Sequence, residues 1–416
     1  MKHTSLTFFL LIFLAVPAEA RILPVGASEK IKTIREGITL ANAGDTLQIQ
    51  PGVYREGNII IDKPLTLLGK SLPVIDGEDK FENISVRAHN VTISGLLLRN
   101  TGVSSMNDLA GIGAEDADKL TILDCEFDNT YFAIHISNAR DARIERNKMV
   151  AKSRTEHQTG NGIHLWKCNG ALIRNNEVSK HRDGIYFEFV TNSLIEGNIC
   201  RENRRYGLHF MFSHHDTYKG NTFSDNGAGV AVMYTNNVEM YENRFENNWG
   251  AASYGLLLKD ISDSYIEGNV FSKNTTGIMM EGTSRGNFAK NTFTGNGWAV
   301  KLQANCENNS FTGNNFSGNS FDIVTNGTLV LNAFQRNYWD KYQGYDLNRD
   351  GTGDVPFRPV SMYAMVIDRI PESVLLWRSF LVFLLDKTER VVPAVIPENL
   401  KDDYPRMNPY DFNRKG

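Results

Sequence analysis

The chain has 416 residues, with 44 Lys and Arg against 48 Asp and Glu and a formal net charge of −4. A protein that neutralises nucleic-acid phosphates needs a basic face, and no stripe of Lys or Arg follows the sequence, so we expect no nucleic-acid partner. The four cysteines include no Cys-x-x-Cys pair and do not recur at one spacing, which argues against a disulfide framework and against a thiolate metal site.

The first 20 residues have the pattern of a secretory signal peptide. Lys2 precedes an apolar run from Leu6 to Val16, and Ala18 and Ala20 form a small-residue cleavage site. The apolar run is shorter than the roughly 20 residues that cross a bilayer as a helix. We therefore predict cleavage after Ala20 and an exported, periplasmic mature protein.

Residues 28–43 are predicted to form an amphipathic helix that caps the fold, because an open sheet end exposes unpaired strand edges. Its apolar positions are Ile31, Ile34, Ile38 and Leu40, and it ends near Gly44. Short strand-like segments follow at 46–49, 59–61, 65–68 and 91–98.

A repeated unit dominates the rest of the chain. It consists of Asn, an apolar residue two positions later and a second Asn, and it recurs every 22 or 23 residues in most steps. Clear copies begin at Asn221, Asn243, Asn269, Asn291, Asn314 and Asn332, and weaker ones at Cys125, Asn147, Asn176 and Asn198. This period, combined with alternating segments such as 207–211, predicts an all-β fold, a right-handed parallel β-helix.

In such a solenoid, equivalent residues stack about 4.8 Å apart. We expect the asparagines to form a hydrogen-bonded ladder and the aromatic residues to form one internal stack. The predicted stack contains Phe223, Phe245, Phe271, Phe293, Phe316 and Phe334. Cys200 falls in the same internal column. These columns are interpreted as structural.

Aligning the copies on their glycine predicts two outward columns of side chains, since successive residues of a strand point to opposite faces. The first column contains His135, His164, Tyr186, His209, Ala231 and, two coils beyond, Met279. The second contains Ser137, Trp166, Glu188, Met211 and Met233. His181, His214 and His215 lie nearby in sequence.

Imidazole and thioether together form a ligand set suited to copper, above all Cu(I). We predict copper ligands among His164, Glu188, His209, Met211, His214, His215 and Met233. The alternative interpretation is a polar outer sheet face on which methionines fill grooves. A third reading is a carbohydrate-binding or polysaccharide-modifying β-helix protein, for which Trp166, Tyr186 and Tyr234 would stack on sugar rings.

Two segments follow the repeat. Asp346, Asn348, Asp350, Gly351 and Asp354 are spaced like the start of an EF-hand calcium loop, although Phe357 stands where that loop has a glutamate, so a turn-rich cap is the alternative to calcium. Residues 361–385 are strongly apolar. They either pack on the solenoid or dock onto a membrane partner, and the Pro-containing tail beyond Val391 suits an extended arm.

The segments Ala43–Thr46 and Pro51–Tyr54 resemble the start of pectate-lyase-like repeat proteins. The Asn and Phe repeat, the ending 337–354 and the segment 162–215 resemble the periplasmic copper-binding family of NosD, over roughly residues 28–360.

That resemblance implies copper delivery without catalysis. It implies work in the periplasm with an ABC transporter, copper received from a chaperone lipoprotein, and maturation of the copper centres of apo nitrous oxide reductase during denitrification. Segment 361–385 would then dock on the transporter's membrane subunit. The predicted organisation is a signal peptide at 1–20, a β-helix domain at 21–360 and a docking segment with its tail at 361–416.

Overall fold

The structure, a computed structural model, describes residues 20–104, 106–152, 155, 158–327, 331–376, 379, 380, 382, 384, 385 and 400–412. The chain winds into a right-handed parallel β-helix of about 13 turns, which confirms the predicted fold. Three long parallel sheets, of 14, 13 and 12 strands, form its walls. The predicted signal peptide lies outside the described residues except for Ala20.

The strands are short and follow one another in the same order in every coil. The 14-stranded sheet contains Ile22–Val25, Thr46–Ile49, Thr66–Gly69, Thr92–Ser94, Thr121–Leu123, Arg143–Glu145, Leu172–Arg174, Leu194–Glu196, Thr217–Lys219, Glu239–Tyr241, Tyr265–Glu267, Asn287–Ala289, Glu307–Thr312 and Leu331–Gln335. The 13-stranded sheet contains Val53–Tyr54, Val74–Asp76, Leu97–Arg99, Glu126–Asp128, Lys148–Val150, Glu177–Ser179, Ile199–Arg201, Thr222–Ser224, Arg244–Glu246, Val270–Ser272, Thr292–Thr294, Asn315–Ser317 and Tyr338–Trp339. The 12-stranded sheet contains Ile59–Ile61, Ile84–Val86, Ala110–Glu115, Phe132–Ser137, Ile163–Trp166, Asp183–Glu188, Tyr206–Met211, Ala228–Asn236, Tyr254–Ser262, Thr276–Glu281, Trp298–Leu302 and Phe321–Thr325.

An asparagine ladder runs along the corner between the 14- and 13-stranded sheets. The side-chain oxygen of Asn243 accepts from the backbone N–H of Asn221 at 3.0 Å and from its side-chain amide at 2.9 Å. The same pair of bonds links every step from Asn147 to Asn337. The predicted ladder is thus confirmed, and it satisfies buried backbone donors at a corner where no sheet partner exists.

The aromatic stack is confirmed except at its last member. Phe245 and Phe271 lie parallel with ring centroids 4.7 Å apart, but Phe316 is followed by Trp339 at 4.1 Å. Phe334 instead stacks on Phe311 at 4.7 Å, in the neighbouring column. The prediction was wrong there because the copy after Asn314 begins at Asn337, and the unit at Asn332 occupies a different corner.

The N-terminal cap is shorter than predicted. The helix spans Ile34–Leu40 and begins where the Thr33 side chain accepts from the Glu36 N–H at 3.1 Å. Ile34 and Ile38 are buried, whereas Leu40 is 54% exposed, so Leu40 is not part of the packed face. The predicted strand 91–98 is two strands, because Gly95 at φ 69° turns the chain between them.

Two elements close the C-terminal end. The helix Met362–Arg369 packs Tyr363 and Ile367 against Phe321 and Val324, and a 3-10 helix follows at Pro371–Leu376. Residues 400–412 then return to the last coil. None of the helices in the described parts of the chain is long and apolar enough to cross a membrane.

The returning arm completes the asparagine ladder. The Asp402 carboxylate accepts from the backbone N–H of Asn337 at 2.9 Å, from its side chain at 3.1 Å and from the indole N–H of Trp339 at 3.1 Å. Asp402 therefore does at the open end what the next asparagine would do inside the solenoid.

Candidate functional site

Both predicted outward columns exist on the 12-stranded sheet. His135, His164, Tyr186, His209 and Ala231 are in register on consecutive strands, with Leu257 and then Met279 beyond. The second column is in register as Ser137, Trp166, Glu188, Met211 and Met233. The aliphatic residues between them are buried inside the solenoid, as alternation requires.

The rings of the first column form a continuous edge-to-face stack. The centroid of His164 lies 4.8 Å from that of His135 and 4.7 Å from that of Tyr186. Tyr186 in turn lies 5.0 Å from His209. Three imidazoles and one phenol therefore follow one line across four coils.

A third outward column, which sequence reasoning missed, covers the stack. An added Cβ at Gly184 would lie 3.1 Å from the buried Cys200 side chain, so this glycine faces the interior next to the inward Ile185. Asp183 consequently faces outward, where strict alternation would place it inside. Phe132 and Tyr206 occupy the corresponding place in their coils.

His209 is held by this third column. Its Nδ1 lies 3.2 Å from an Arg205 guanidinium nitrogen and 3.7 Å from the Asp183 carboxylate. Asp183 is fully buried and pairs with Arg205 at 2.9 Å. The Tyr206 ring lies 4.8 Å from the imidazole, and His209 is only 5% exposed, so it lies on the outer side of the sheet without facing solvent.

Tyr186 links the first two columns. Its hydroxyl donates toward the Glu188 carboxylate at 3.3 Å and lies 3.6 Å from the sulfur of Met211. Burial, together with the neighbouring negative charge of Glu188, raises the pKa of Tyr186 to about 12, so the phenol stays protonated. Phenol, carboxylate and thioether thus meet, and Met233 is next to Met211 in register.

His164 is enclosed. Both ring nitrogens are buried without a hydrogen bond, and burial lowers the pKa of His164 to about 3, with smaller contributions from His135 and Arg182. A neutral imidazole at neutral pH is the form that binds metal ions.

His214 and His215 lie apart from the stack. Phe212, at φ 50°, turns the chain after Met211, and both histidines belong to the corner that leads to the 14-stranded sheet. The Nδ1 of His214 accepts from the Asn236 N–H at 3.2 Å. A second asparagine ladder runs from Asn203 to Asn319 along the corner between the 13- and 12-stranded sheets. His181 is inside the solenoid at the start of this ladder, where its backbone N–H donates to Asn203 at 3.1 Å.

The structure therefore gathers Glu188 and Met211, with Met233 adjacent, and places His209 beside Tyr186. It separates His164 from His209 by the Tyr186 ring. Among the described residues, no group of three or more His, Cys, Asp or Glu is arranged to hold a metal ion. All four cysteines are buried and free. The seven-residue copper set remains a prediction.

The acidic loop near the C-terminus is ordered by its own side chains. The two Asp346 carboxylate oxygens accept from the N–H groups of Asp350 at 3.2 Å and Gly351 at 2.8 Å. Asp354 accepts from the Leu347 N–H at 2.7 Å. The loop is a compact turn that leaves its remaining oxygens at the surface.

The fold defines a class, the right-handed parallel β-helix proteins. The family model for NosD, described as a periplasmic copper-binding protein, matches residues 145–348. A "Probable ABC transporter binding protein NosD" of Pseudomonas aeruginosa is 30% identical over 89% of this chain and 90% of its own length. The chain belongs to the NosD family of periplasmic copper-binding proteins.

A protein of the same description from Stutzerimonas stutzeri is 27% identical over 87% of this chain and 89% of its own length. Similarity to solved structures supports the fold and carries no information on function. The A-module of the mannuronan C-5 epimerase AlgE6 from Azotobacter vinelandii is 17% identical and covers 69% of this chain and 95% of its own, with a TM-score of 0.52. The catalytic domain of an alpha-1,3-glucanase is 12% identical and covers 78% and 70%, with a TM-score of 0.63.

Proposed function

We propose that this protein binds Cu(I) as cargo on the outer side of its 12-stranded sheet and delivers it for maturation of the copper centres of nitrous oxide reductase. It acts as an accessory protein and not as an enzyme. It works in the periplasm beside an ABC transporter, and it receives copper from a chaperone lipoprotein. Family membership and the transporter-binding description of the relatives support this proposal.

One observation carries the choice of ion: the Met211 sulfur lies 3.6 Å from the Tyr186 hydroxyl, which also contacts Glu188. Thioethers favour Cu(I) over Zn²⁺ or Mg²⁺, and the carboxylate supplies the balancing negative charge. Met233 is in register with Met211 on the adjacent strand, so the next coil carries a second thioether in the same column. His209 borders the cluster, so copper can exchange between sulfur and nitrogen donors.

The test is a Cu(I) titration of the mature protein against a chromophoric chelator under reducing conditions. We expect the Glu188→Gln, Met211→Leu, Met233→Leu variant to bind Cu(I) at least tenfold more weakly. Met279→Leu is the matched control, since Met279 also lies on the outer side of this sheet. Binding that survives both this variant and joint replacement of His209, Met211 and His214 would refute the site.

The transporter contact is proposed for the segment after the C-terminal helix. Leu375 is 86% exposed and Ile370 is 56% exposed, whereas Ile367 is buried against the last coil. Exposed apolar side chains next to a packed helix suit a protein partner. Leu375→Ser with Ile370→Ser should release the protein from the transporter's membrane subunit in a pull-down, while Trp249→Ser, at a distant exposed site, should not. Retained association would disprove the contact.

We propose that Asp346, Asn348, Asp350 and Asp354 bind calcium, because their spacing and oxygen ligands suit that ion. Calcium should raise the midpoint of thermal unfolding, and Asp350→Ala should remove the increase. An equal increase in the variant would leave the loop as a simple turn.

The alternative function, carbohydrate binding or modification, is tested with the same purified mature protein. The Tyr186 ring is enclosed between His164 and His209, and Phe212 covers one face of Tyr234 at 5.0 Å, which leaves Tyr234 at most one face for a sugar. We expect no cleavage or epimerisation of alginate or pectin. Turnover abolished by Glu188→Gln would favour the alternative over copper delivery.

A further inference from the structure

His135, which is not in the predicted ligand set, forms an imidazole pair with His164, the member of that set that the Tyr186 ring separates from His209. They are in register on adjacent strands, and their ring centroids are 4.8 Å apart. Phe132 lies across both rings, at 5.7 Å from His135 and 5.6 Å from His164, and Tyr186 closes the far side. The pair therefore occupies a narrow aromatic enclosure on the outer side of the sheet.

The pair carries unused donor and acceptor capacity. Neither nitrogen of His164 makes a hydrogen bond although both are buried. A neutral imidazole has one N–H donor and one acceptor nitrogen, and each such group is destabilising when it is buried without a partner. A ligand that bonds to these nitrogens would recover that cost.

The charges around the pair favour a cation. The Asp108 carboxylate lies 3.9 Å from the His135 Nε2, a place where metal-binding histidines commonly have a carboxylate that orients the ring. Burial lowers the pKa of His135, and Asp108 and Glu115 oppose that shift. The positive charge of Arg182 contributes to lowering the pKa of His164. Two carboxylates therefore act on His135, the member of the pair next to Asp108, and would stabilise a cation there.

We propose that His135 and His164 together bind one Cu(I) ion in two-coordinate geometry, as a second position separate from the methionine cluster. The identity of the ion rests on the proposed function. The geometry argues for it independently, because Zn²⁺ needs about four ligands, whereas the described residues contain no group of three or more His, Cys, Asp or Glu arranged to hold a metal ion, and Asp108 lies beyond bonding distance at 3.9 Å from the His135 Nε2. Monovalent d¹⁰ ions form stable linear complexes with two nitrogen ligands.

The two positions differ in chemistry. The outer neighbours of the pair in the second column are Ser137 and Trp166, neither of which offers a thioether, and the Lys167 ammonium lies 4.1 Å over the Trp166 ring. The Tyr186 ring separates His164 from His209. An ion at the pair is therefore bound by nitrogen alone, whereas an ion at the methionine cluster has sulfur ligands.

The experiment measures Cu(I) stoichiometry by chelator competition and ligand type by copper X-ray absorption, using the full mature chain. The test variant is His135→Phe with His164→Phe, since the column already accommodates an aromatic ring at Tyr186. His181→Asn is the matched control, because it removes a buried imidazole outside the pair. Circular dichroism melting verifies that each variant is folded.

Wild type should bind two Cu(I), and the pair variant should lose one equivalent together with the two-coordinate nitrogen signal, while His181→Asn keeps both. A pair variant that still binds two ions overturns the inference. A wild type that binds one ion, through sulfur and unaffected by the pair variant, overturns the inference and leaves the proposed function standing. One nitrogen-bound ion, lost in the pair variant, supports the pair and refutes the methionine site. No bound copper refutes both, and Zn²⁺ binding at comparable strength refutes the two-coordinate geometry.

Discussion

The coils from Asn221 to Asn337 and the coils from Thr130 to Tyr218 share one architecture but use their polar groups differently. The asparagine ladder runs through both regions, but in the later coils the phenylalanines also stack in parallel, within 8° of one another from Phe245 to Phe316. Ten of the fifteen buried side-chain nitrogen and oxygen atoms that lack a hydrogen bond in the described chain fall between Thr130 and Tyr218. The regular coils thus pair almost all of their buried polar side-chain atoms, whereas the irregular coils leave several unpaired, both inside the solenoid, as at His181, and on the outer side of the 12-stranded sheet, as at His164.

The largest expected effect is in the regular coils. Asn269→Ala removes the acceptor for the backbone and side-chain N–H groups of Asn243 and the donor to the Met240 carbonyl. Three buried groups left unpaired should lower the free energy of unfolding by roughly 3–5 kcal/mol. Urea unfolding at pH 7 measures it, with the exposed Asn169→Ala as control. A loss below 1 kcal/mol would show that the ladder is dispensable, and Cu(I) binding should be unchanged.

The second substitution is in the irregular coils, and it should raise the free energy of unfolding. Asp216 accepts from the Ser193 N–H at 2.8 Å inside the solenoid, and burial raises the pKa of Asp216 to about 8. The folded state therefore retains a proton that the unfolded state loses above pH 4, so stability falls as the pH rises from about 4 to 8. Asp216→Asn should stabilise the metal-free protein by on the order of 3 kcal/mol at pH 8 and by little at pH 4. A gain that does not vary with pH would contradict this account.

A smaller effect is expected at His181. Burial lowers the pKa of His181 to about 4, against a weaker opposing effect of the Gly160 backbone. The unfolded histidine takes up a proton below about pH 6.5 and the folded one does not, so stability falls as the pH drops from about 6.5 to 4. His181→Asn extends the ladder that begins at Asn203 and should be more stable than wild type by about 2 kcal/mol at pH 5. Thermal melts at pH 5 and 7 measure this, and equal differences at both pH values would exclude the titration.

These three substitutions test whether the contrast between the regions is one of function. If the outer columns of the irregular coils serve ligand binding, then Asp216→Asn and His181→Asn should raise the stability of the protein without changing its affinity for Cu(I). Should either substitution abolish Cu(I) binding, the buried polar groups and the outer columns would have to act as one site.

The sequence by itself determined the solenoid and its register. The spacing of Asn and Phe was sufficient because each coil contacts mainly its neighbours, so a local period fixes which residues stack. It therefore predicted both outward columns correctly, from His135 to His209 and from Ser137 to Met233. It failed at Phe334, where two corners carry similar Asn-containing units and only strand pairing distinguishes them.

Only the tertiary structure decided which column members meet and which are covered. Strict alternation gave no means of seeing that Gly184 faces inward and turns Asp183 out toward Arg205 and His209. It equally gave no means of seeing that Phe212 turns His214 away from Met211, or that Asp402 returns across 65 residues to end the ladder at Asn337. A repeat specifies neighbours along the solenoid axis, whereas burial and contact around the coil depend on where each corner bends.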